Sequence, residues 1–157
     1  PFIDVANESN SGVFILLKTS NAGSKDIQDL LVNNRAVFIH LANLLQKSCS
    51  TNLGKFGYSD IGVVVGATQP KEAKLIRKIL PKSLFLIPGF GAQGASASEA
   101  LSGLILKNKI YEGGLINSSR SILFPKDSHD LNDSLKWKEK IVSALKKTTD
   151  ELKFKTG

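Results

Sequence analysis

The sequence predicts an α/β fold made of four parallel βα units. Four short apolar runs alternate with segments of helical period, the runs are apolar on both faces, and each run ends in polar residues. Strands that are apolar on both faces are typical of a parallel sheet covered by helices. The pattern fits both an open doubly wound sheet and half of an eight-unit barrel.

The predicted strands are followed by residue types from which binding sites are built. These strands cover residues 13–17, 61–66, 84–87 and 113–117. Ser, Thr, Gln, Asn or Arg follows each strand, and ligand sites of parallel sheets form at the carboxyl edge. We therefore expect a site at that edge.

Helical periodicity and capping residues predict the helices. They are the end of a helix within 1–10, a short helix over 26–32, and longer helices over 36–49, 70–80 and 97–106. Thr68 is placed to cap the helix whose first turn contains Pro70. Ser96 and Glu99 have the spacing of a capping box, which marks the start of the helix after the third strand.

The C-terminal segment holds the densest group of lysines, between Lys136 and Lys155. We predict a helix here that is capped by Asn132 or Asp133, with its lysines in solvent. The apolar residues expected to face inward are Leu135, Ile141, Val142, Leu145 and Leu152. A solvated helix face accounts for the lysines, and no basic patch interleaved with aromatic residues indicates a nucleic-acid partner.

Composition limits the class of protein. The 157 residues are 41% hydrophobic and 22% charged, as in one soluble domain, and the formal net charge of +7 favours an anionic small molecule. The single cysteine, Cys49, and the lack of a long apolar run indicate a cytoplasmic protein without a membrane partner. The chain begins at Pro1 and lacks methionine, so we expect residues 1–157 to be a single partial domain of a longer protein.

A glycine-rich loop, Pro88 to Gly94, is the main candidate for a binding site. It follows a strand and precedes a capping box, where free backbone N–H groups and a helix dipole favour an anion. Arg120 follows the next strand beside Ser118 and Ser119, and the two loops together predict a phosphate site. The alternatives are a tight turn without a ligand and a surface ion pair for Arg120.

Two further polar residues are candidates for ligand contacts. Gln93 can reach a phosphate or a carbonyl, and Ser20 can hydrogen-bond the amide edge of a heterocycle; each can instead stabilise its own loop. His40, His129 and Cys49 do not have the spacing of metal ligands, so we predict no metal site. The sequence shows no pair of nucleophile and base and no nucleotide-binding glycine motif.

The four strand ends, taken in order, resemble strands five to eight of the orotidine 5′-phosphate decarboxylase family. The motifs that carry the resemblance are Leu17-Lys18-Thr19-Ser20-Asn21 with Gly23, Val64-Val65-Gly66-Ala67-Thr68, Ile87-Pro88-Gly89-Phe90-Gly91-Ala92-Gln93-Gly94 and Ile116-Asn117-Ser118-Ser119-Arg120. The resemblance covers about residues 1 to 125. Ala22 stands where the family often has proline, and Ala95 where a further glycine is common.

The resemblance implies the C-terminal half of a (βα)8 TIM barrel that converts orotidine 5′-phosphate (OMP) to uridine 5′-phosphate (UMP) without a metal or organic cofactor. It implies that Ser20 contacts the pyrimidine edge, Pro88 lines the base pocket, and Gln93 lies on the phosphate side. Arg120 is implied to bind the phosphate. The residues whose backbone would face the phosphate are Gly91, Gly94 and Ser119.

The family's catalytic Asp-x-Lys-x-x-Asp motif does not occur in this sequence. The resemblance therefore implies that the catalytic lysine and aspartates belong to an N-terminal half of the barrel, that this chain has no catalytic residue, and that it is inactive alone. The family also forms homodimers. Two other readings are a non-catalytic half-barrel that binds a phosphate ligand and another sugar-phosphate barrel enzyme.

Overall fold

The computed structural model describes residues 1–51, 53–125 and 133–153. The helices are α1 (Phe2–Glu8), α2 (Val37–Gln46), α3 (Ser48–Thr51), α4 (Pro70–Ile79), α5 (Ala97–Ala100), α6 (Arg120–Leu123) and α7 (Ser134–Lys153), with 3-10 turns at Ala22–Asp26 and Leu101–Gly103. The strands are β1 (Val13–Lys18), β2 (Leu31–Val32), β3 (Arg35–Ala36), β4 (Ile61–Val65), β5 (Phe85–Pro88), β6 (Ile105–Lys107), β7 (Ile110–Glu112) and β8 (Gly114–Asn117).

The four predicted strands form one parallel sheet in the order β1-β4-β5-β8. Leu16 pairs with Val64, Val64 with Leu86, and Leu86 with Leu115, so these residues form one row across the sheet. The α/β prediction of four parallel units is confirmed. Because all four strands run in the same direction, their carboxyl ends meet at one edge.

Helices cover one face of the sheet and form the core there. Val63, Val65, Phe85 and Ile87 are buried on this face against residues of α2 and α4, among them Ala42. Each fully buried apolar side chain of this size contributes about 1.5–3 kcal/mol of stability. On the opposite face, Phe14 is 42%, Leu16 58% and Leu115 58% exposed. Helices on one side and an open apolar face on the other are what half of a barrel presents.

The short helix expected over 26–32 is wrong. The chain instead makes a 3-10 turn and then the two-stranded hairpin β2–β3. Asn33 and Asn34 form its turn with φ of +49° and +58°. Asparagine tolerates this left-handed conformation better than most residues, which fixes a hairpin turn here.

The helix expected over 97–106 is too long, because α5 covers only Ala97–Ala100. The capping box of Ser96 and Glu99 is confirmed, but α5 ends at Ala100 and a 3-10 turn leads into the hairpin β6–β7. Asn108 and Lys109, at φ of +50° and +64°, form the turn of that hairpin. The expected cap of α4 is also wrong, since Gln69 is its N-cap residue and Thr68 bonds elsewhere.

The last helix begins where expected and packs differently. The Asp133 carboxylate accepts hydrogen bonds from the backbone of the first turn of α7, whereas Asn132 and His129 lie outside the described residues. The inward face is largely wrong, because Leu135, Val142 and Leu145 are 68%, 66% and 50% exposed. Helix α7 packs against α5 and α6, which cover only part of its apolar side.

Candidate functional site

The predicted phosphate residues meet at the carboxyl edge of the sheet. Strands β5 and β8 end side by side, with Pro88 paired to Asn117. The loops that follow them enclose a cavity of about 120 Å³. Pro88, Gln93, Ser119 and Arg120 all line this cavity, so four of the predicted site residues share one space.

Three left-handed glycines shape the loop after β5. Gly89, Gly91 and Gly94 have φ of +104°, +82° and +84°, a conformation that other residues rarely adopt. The Gly94 N–H donates to the Gly91 carbonyl at 2.9 Å. This amide therefore closes the turn of the loop.

Ser20 reaches the same place from the end of β1. A Cβ atom added at Gly89 would lie 2.8 Å from Gln93 Oε1, 3.1 Å from Ser20 Cβ and 3.2 Å from Ser20 Oγ. The three residues therefore crowd around one point, and only glycine leaves room between the two polar side chains. The structure thus brings Ser20 beside the residues of the glycine loop.

The start of α5 is satisfied by its own side chains. The Glu99 carboxylate accepts from the Ser96 N–H at 2.8 Å, and Ser96 Oγ accepts from the Glu99 N–H at 3.3 Å. The Ser96 hydroxyl also donates to the carboxylate at 2.7 Å, and the two hydrogen bonds from the Ser96 N–H and hydroxyl hold the pKa of Glu99 below its ordinary value. The Ser96 and Glu99 N–H groups at the start of α5 are therefore already bonded and are not free to bind an anion.

Ser118 ties the two loops together, a role that the sequence did not indicate. Its Oγ donates to the Phe90 carbonyl at 3.0 Å and lies 2.6 Å from Ser121 Oγ. A Cβ atom at Gly91 would lie 2.6 Å from that same Ser121 Oγ. The residue that could have indicated this contact is Gly91, since a glycine permits close approach of another segment.

Basic side chains surround a second, larger cavity beside the first. Its volume is about 560 Å³, and Arg120, Lys140 and Lys147 line it together with one acidic residue, Glu151. Arg120 borders both cavities. The excess of positive charge favours an anionic ligand at this end of the sheet.

A buried ion pair anchors the loop that carries Ser20. The Lys18 side chain is fully buried, and its Nζ lies 2.8 Å from Asp29 Oδ1 and 3.4 Å from Ser24 Oγ. Nothing in the local sequence pattern indicated this pair. With its ammonium group enclosed in this way, Lys18 holds the loop in place and does not face the cavities.

Within residues 1–51, 53–125 and 133–153, no group of three or more His, Cys, Asp or Glu residues is placed to hold a metal ion. Cys49 is 2% exposed, and burial raises the pKa of its thiol, so it packs as a small apolar residue. No helix in the same ranges is long and apolar enough to cross a membrane.

Comparison with known proteins identifies the family. The model of the orotidine 5′-phosphate decarboxylase / HUMPS family matches residues 1–130. This chain belongs to that family. An orotidine 5′-phosphate decarboxylase of Caldicellulosiruptor bescii is 44% identical over 124 residues, which is 79% of this chain and 40% of the relative. One from Rhodopirellula baltica is 34% identical over 156 residues, covering 98% of this chain and 51% of the relative.

Solved structures of similar proteins match the fold of this chain. A Leishmania donovani UMP synthase matches 91% of this chain and 28% of its own, with a TM-score of 0.66 and 30% identity. A Leishmania donovani OMP decarboxylase matches 91% of this chain and 48% of its own, with a TM-score of 0.62 and 28% identity. The chain spans about half, or less, of the length of these curated and solved relatives.

Proposed function

We propose that this chain is the C-terminal half of an orotidine 5′-phosphate decarboxylase, a cytoplasmic carboxy-lyase of de novo pyrimidine biosynthesis. The observation that carries the proposal is the meeting of Ser20 and Gln93 at Gly89, beside a cavity that Arg120 lines. One polar group suited to a base and a cation suited to a phosphate thus lie at one edge of the sheet. The single cysteine is compatible with a reducing compartment.

In this proposal each site residue has a separate task. Ser20 hydrogen-bonds the pyrimidine edge, Pro88 lines the base pocket, and Gln93 contacts the phosphate side of the nucleotide. Arg120 binds the phosphate through charge-assisted hydrogen bonds, helped by the backbone of Gly91, Gly94 and Ser119. For Gly94, whose N–H closes the loop turn, the contribution is the shape of the loop.

Binding energy from the phosphate is the chain's contribution to catalysis. Decarboxylation breaks the bond between the pyrimidine ring and its carboxylate, releases carbon dioxide and leaves a carbanion on the ring. A lysine of the missing half protonates that carbanion, and the phosphate grip stabilises the transition state from a distance. No metal or organic cofactor takes part in the proposed reaction.

The open face of the sheet supports a missing half of the barrel. Leu16 and Leu115 are each 58% exposed although they lie in one paired row with Val64 and Leu86. Among the described strands, β1 and β8 are the edges of the sheet. Four further strands would pair with both edges and bury this row, because eight strands close a barrel that is filled with side chains. Such a complete barrel would form the homodimer.

A hybrid enzyme tests the proposed function. The matching segment of the Caldicellulosiruptor bescii relative is replaced by this chain, and conversion of OMP to UMP is followed by ultraviolet absorbance. We expect turnover by the hybrid and none by this chain alone. A hybrid that is folded and binds UMP, yet leaves OMP unchanged, would overturn the proposal; co-expression of the two halves as separate chains covers a hybrid that does not fold.

Arg120 gives a matched test of phosphate binding. Arg120→Ala is expected to weaken UMP binding by about a hundredfold, because a charge-assisted contact to the phosphate is lost. Affinity for uridine, which has no phosphate, is expected to stay within about twofold. Arg35→Ala is the control, since Arg35 is an exposed cation on the β2–β3 hairpin. Equal losses for UMP and uridine would contradict the assigned role.

A further inference from the structure

The segment Thr19-Ser20 lies just beyond the regular pairing of β1 with β4. The register of that pair shifts between Leu16 and Lys18, and the Gly66 N–H donates to the Lys18 carbonyl at 2.7 Å. Past this bond the segment leaves the ladder of the sheet. The orientation of the Ser20 side chain must therefore be fixed by other contacts.

Two side chains provide those contacts. Gln28 Oε1 accepts a hydrogen bond from the Thr19 N–H at 2.9 Å. Thr68 Oγ1 donates to the Ser20 carbonyl at 3.2 Å, across 48 positions of the sequence. The backbone is thereby held on both sides of the Ser20 side chain, by residues from two different loops.

The backbone after β4 also presses directly against Ser20. A Cβ atom at Gly66 would lie 2.5 Å from Ser20 N and 2.7 Å from Ser20 Cα. This approach leaves Ser20 little freedom to shift toward β4. The segment Gly66-Ala67-Thr68 thus offers both a surface and a hydrogen-bond donor to the serine.

The hydroxyl of Thr68 is not used at the start of α4. Gln69 is the N-cap residue of that helix, and no side chain caps it. The hydrogen bond to Ser20 is therefore the contact that explains a hydroxyl at position 68. Valine, which has the same shape, would fill the space without donating.

We infer that Thr68 and Gln28 are positioning residues, which hold the backbone of Thr19-Ser20 so that Ser20 Oγ meets the ligand beside Gln93. The inference rests on the proposed function, in which Ser20 contacts the pyrimidine edge. Neither residue touches the ligand in this arrangement. Their effect on catalysis passes through Ser20, because hydrogen bonds weaken steeply when donor and acceptor are misaligned.

Thr68→Val, introduced into the hybrid enzyme described above, tests the inference. We expect kcat/KM for OMP and the affinity for UMP to fall by about tenfold, since one half-buried hydrogen bond is lost and Ser20 shifts. Thr68→Ser, which keeps the hydroxyl, is expected to restore most of this loss. The matched control is Thr149→Val, which removes an exposed hydroxyl that donates to the Leu145 carbonyl on α7.

A double-mutant cycle with Ser20→Ala separates positioning from general damage to the fold. If Thr68 acts through Ser20, Thr68→Val is expected to cost less than about twofold once Ser20 Oγ is gone. A loss of the same size in both backgrounds would overturn the inference, as would a failure of Thr68→Ser to restore activity. Gln28→Glu, which keeps an acceptor for Thr19, and Gln28→Met, which lacks one, form a second pair with the same expectation.

The double-mutant cycle still tests the inference if the hybrid enzyme does not decarboxylate OMP. UMP affinity, measured by calorimetry, reports on Ser20 even in a barrel that does not decarboxylate OMP. Hydrogen exchange of the Ser20 and Asn21 amides in the 157-residue chain adds a direct measure of the segment. Faster exchange there in Thr68→Val, but not in Thr68→Ser, supports the inference, and unchanged exchange in both contradicts it.

Discussion

Lys18 illustrates how a single buried charge fixes a loop that carries a binding residue. Its side chain is fully enclosed, while its partner Asp29 keeps 36% of its side chain exposed. The Nζ also lies 5.7 Å from the centre of the Phe38 ring. The two partners are therefore unequal, since the lysine is cut off from water and Asp29 is its only charged partner among these contacts, whereas the carboxylate is partly hydrated.

Because only the lysine is fully buried, removing Asp29 is expected to reduce stability more than removing Lys18. Asp29→Ala is expected to lower the free energy of unfolding by about 3 kcal/mol, because it leaves a buried ammonium group unpaired. Lys18→Met is expected to cost about 1 kcal/mol or less, because the remaining carboxylate is partly in water. Urea unfolding at neutral pH gives both values. Asp26→Ala, at an exposed neighbour, is the control, and a larger loss for Lys18→Met would contradict the prediction.

Gly89 allows a prediction that separates strain from crowding. In the hybrid enzyme, Gly89→Ala is expected to weaken UMP binding by more than about tenfold, because the new Cβ would displace Gln93 and Ser20. It would also lower stability by about 1–3 kcal/mol through its positive φ. Gly57→Ala is the control, with a φ of +76° and no atom within 4 Å of the added Cβ. UMP affinity unaffected by Gly89→Ala would show that the two side chains do not act at this point.

At the scale of elements, the strands were predictable and the hairpins were not. Continuous apolar runs such as Ile61–Val65 can only be buried strands or helices, and their short length decides between them. The hairpins β2–β3 and β6–β7 have strands of two and three residues, too short for any periodicity to show. Their turns at Asn33-Asn34 and Asn108-Lys109 were the available signal.

The candidate site was likewise predictable only in part. Ser20, Gln93 and Arg120 follow strands, so topology alone brings them to one edge. Thr68 and Ser118 were misjudged or overlooked because their partners, the carbonyls of Ser20 and Phe90, are distant in sequence. A hydroxyl next to a helix start favours a capping role from local sequence alone, and tertiary contact overrode that preference at Thr68.

Arg77 joins three elements at the opposite end of the sheet. Its guanidinium donates to the carbonyls of Gly103, Ser83 and Gly113 at 2.8, 2.7 and 2.7 Å, and it stacks 3.7 Å from the centre of the Phe85 ring. Burial lowers the pKa of Arg77 to about 10, so the group is still protonated at neutral pH. The charge is stabilised by carbonyl dipoles and an aromatic face.

Arg77→Lys is expected to destabilise the chain by about 2–4 kcal/mol. A lysine ammonium cannot reach three separate carbonyls in a plane, and the carbonyls left behind are buried without a donor. Thermal or urea unfolding measures the loss, with Lys74→Ala on the exposed side of α4 as the control. A lysine variant as stable as the original chain would mean that these carbonyls find other donors.

For the whole molecule, the exposed row of the sheet predicts opposite effects in two states. Leu16→Ser is expected to leave the stability of the lone chain within about 0.5 kcal/mol, since Leu16 is 58% exposed. The same change is expected to weaken assembly with an N-terminal half by about 2 kcal/mol, because the side chain would be buried there. Calorimetric titration of one half with the other measures the free energy of association.

Leu44→Ser is the control for that experiment. Leu44 is 77% exposed on α2, on the side of the molecule that already carries helices. Equal effects of the two substitutions on assembly would contradict the proposal that an N-terminal half covers the open sheet face.

Strand β1 has a second consequence, which concerns aggregation. Residues Val13 to Leu17 form five consecutive apolar residues of high β propensity without proline or charge, and they lie on an edge of the sheet. Edge strands of this composition recruit further chains into intermolecular sheets. The first charge after them, on Lys18, is buried and cannot repel a neighbour. A β1 edge that is left without a strand partner is therefore a site where a second chain can add, and a charged residue in place of Phe14 would be expected to reduce such association.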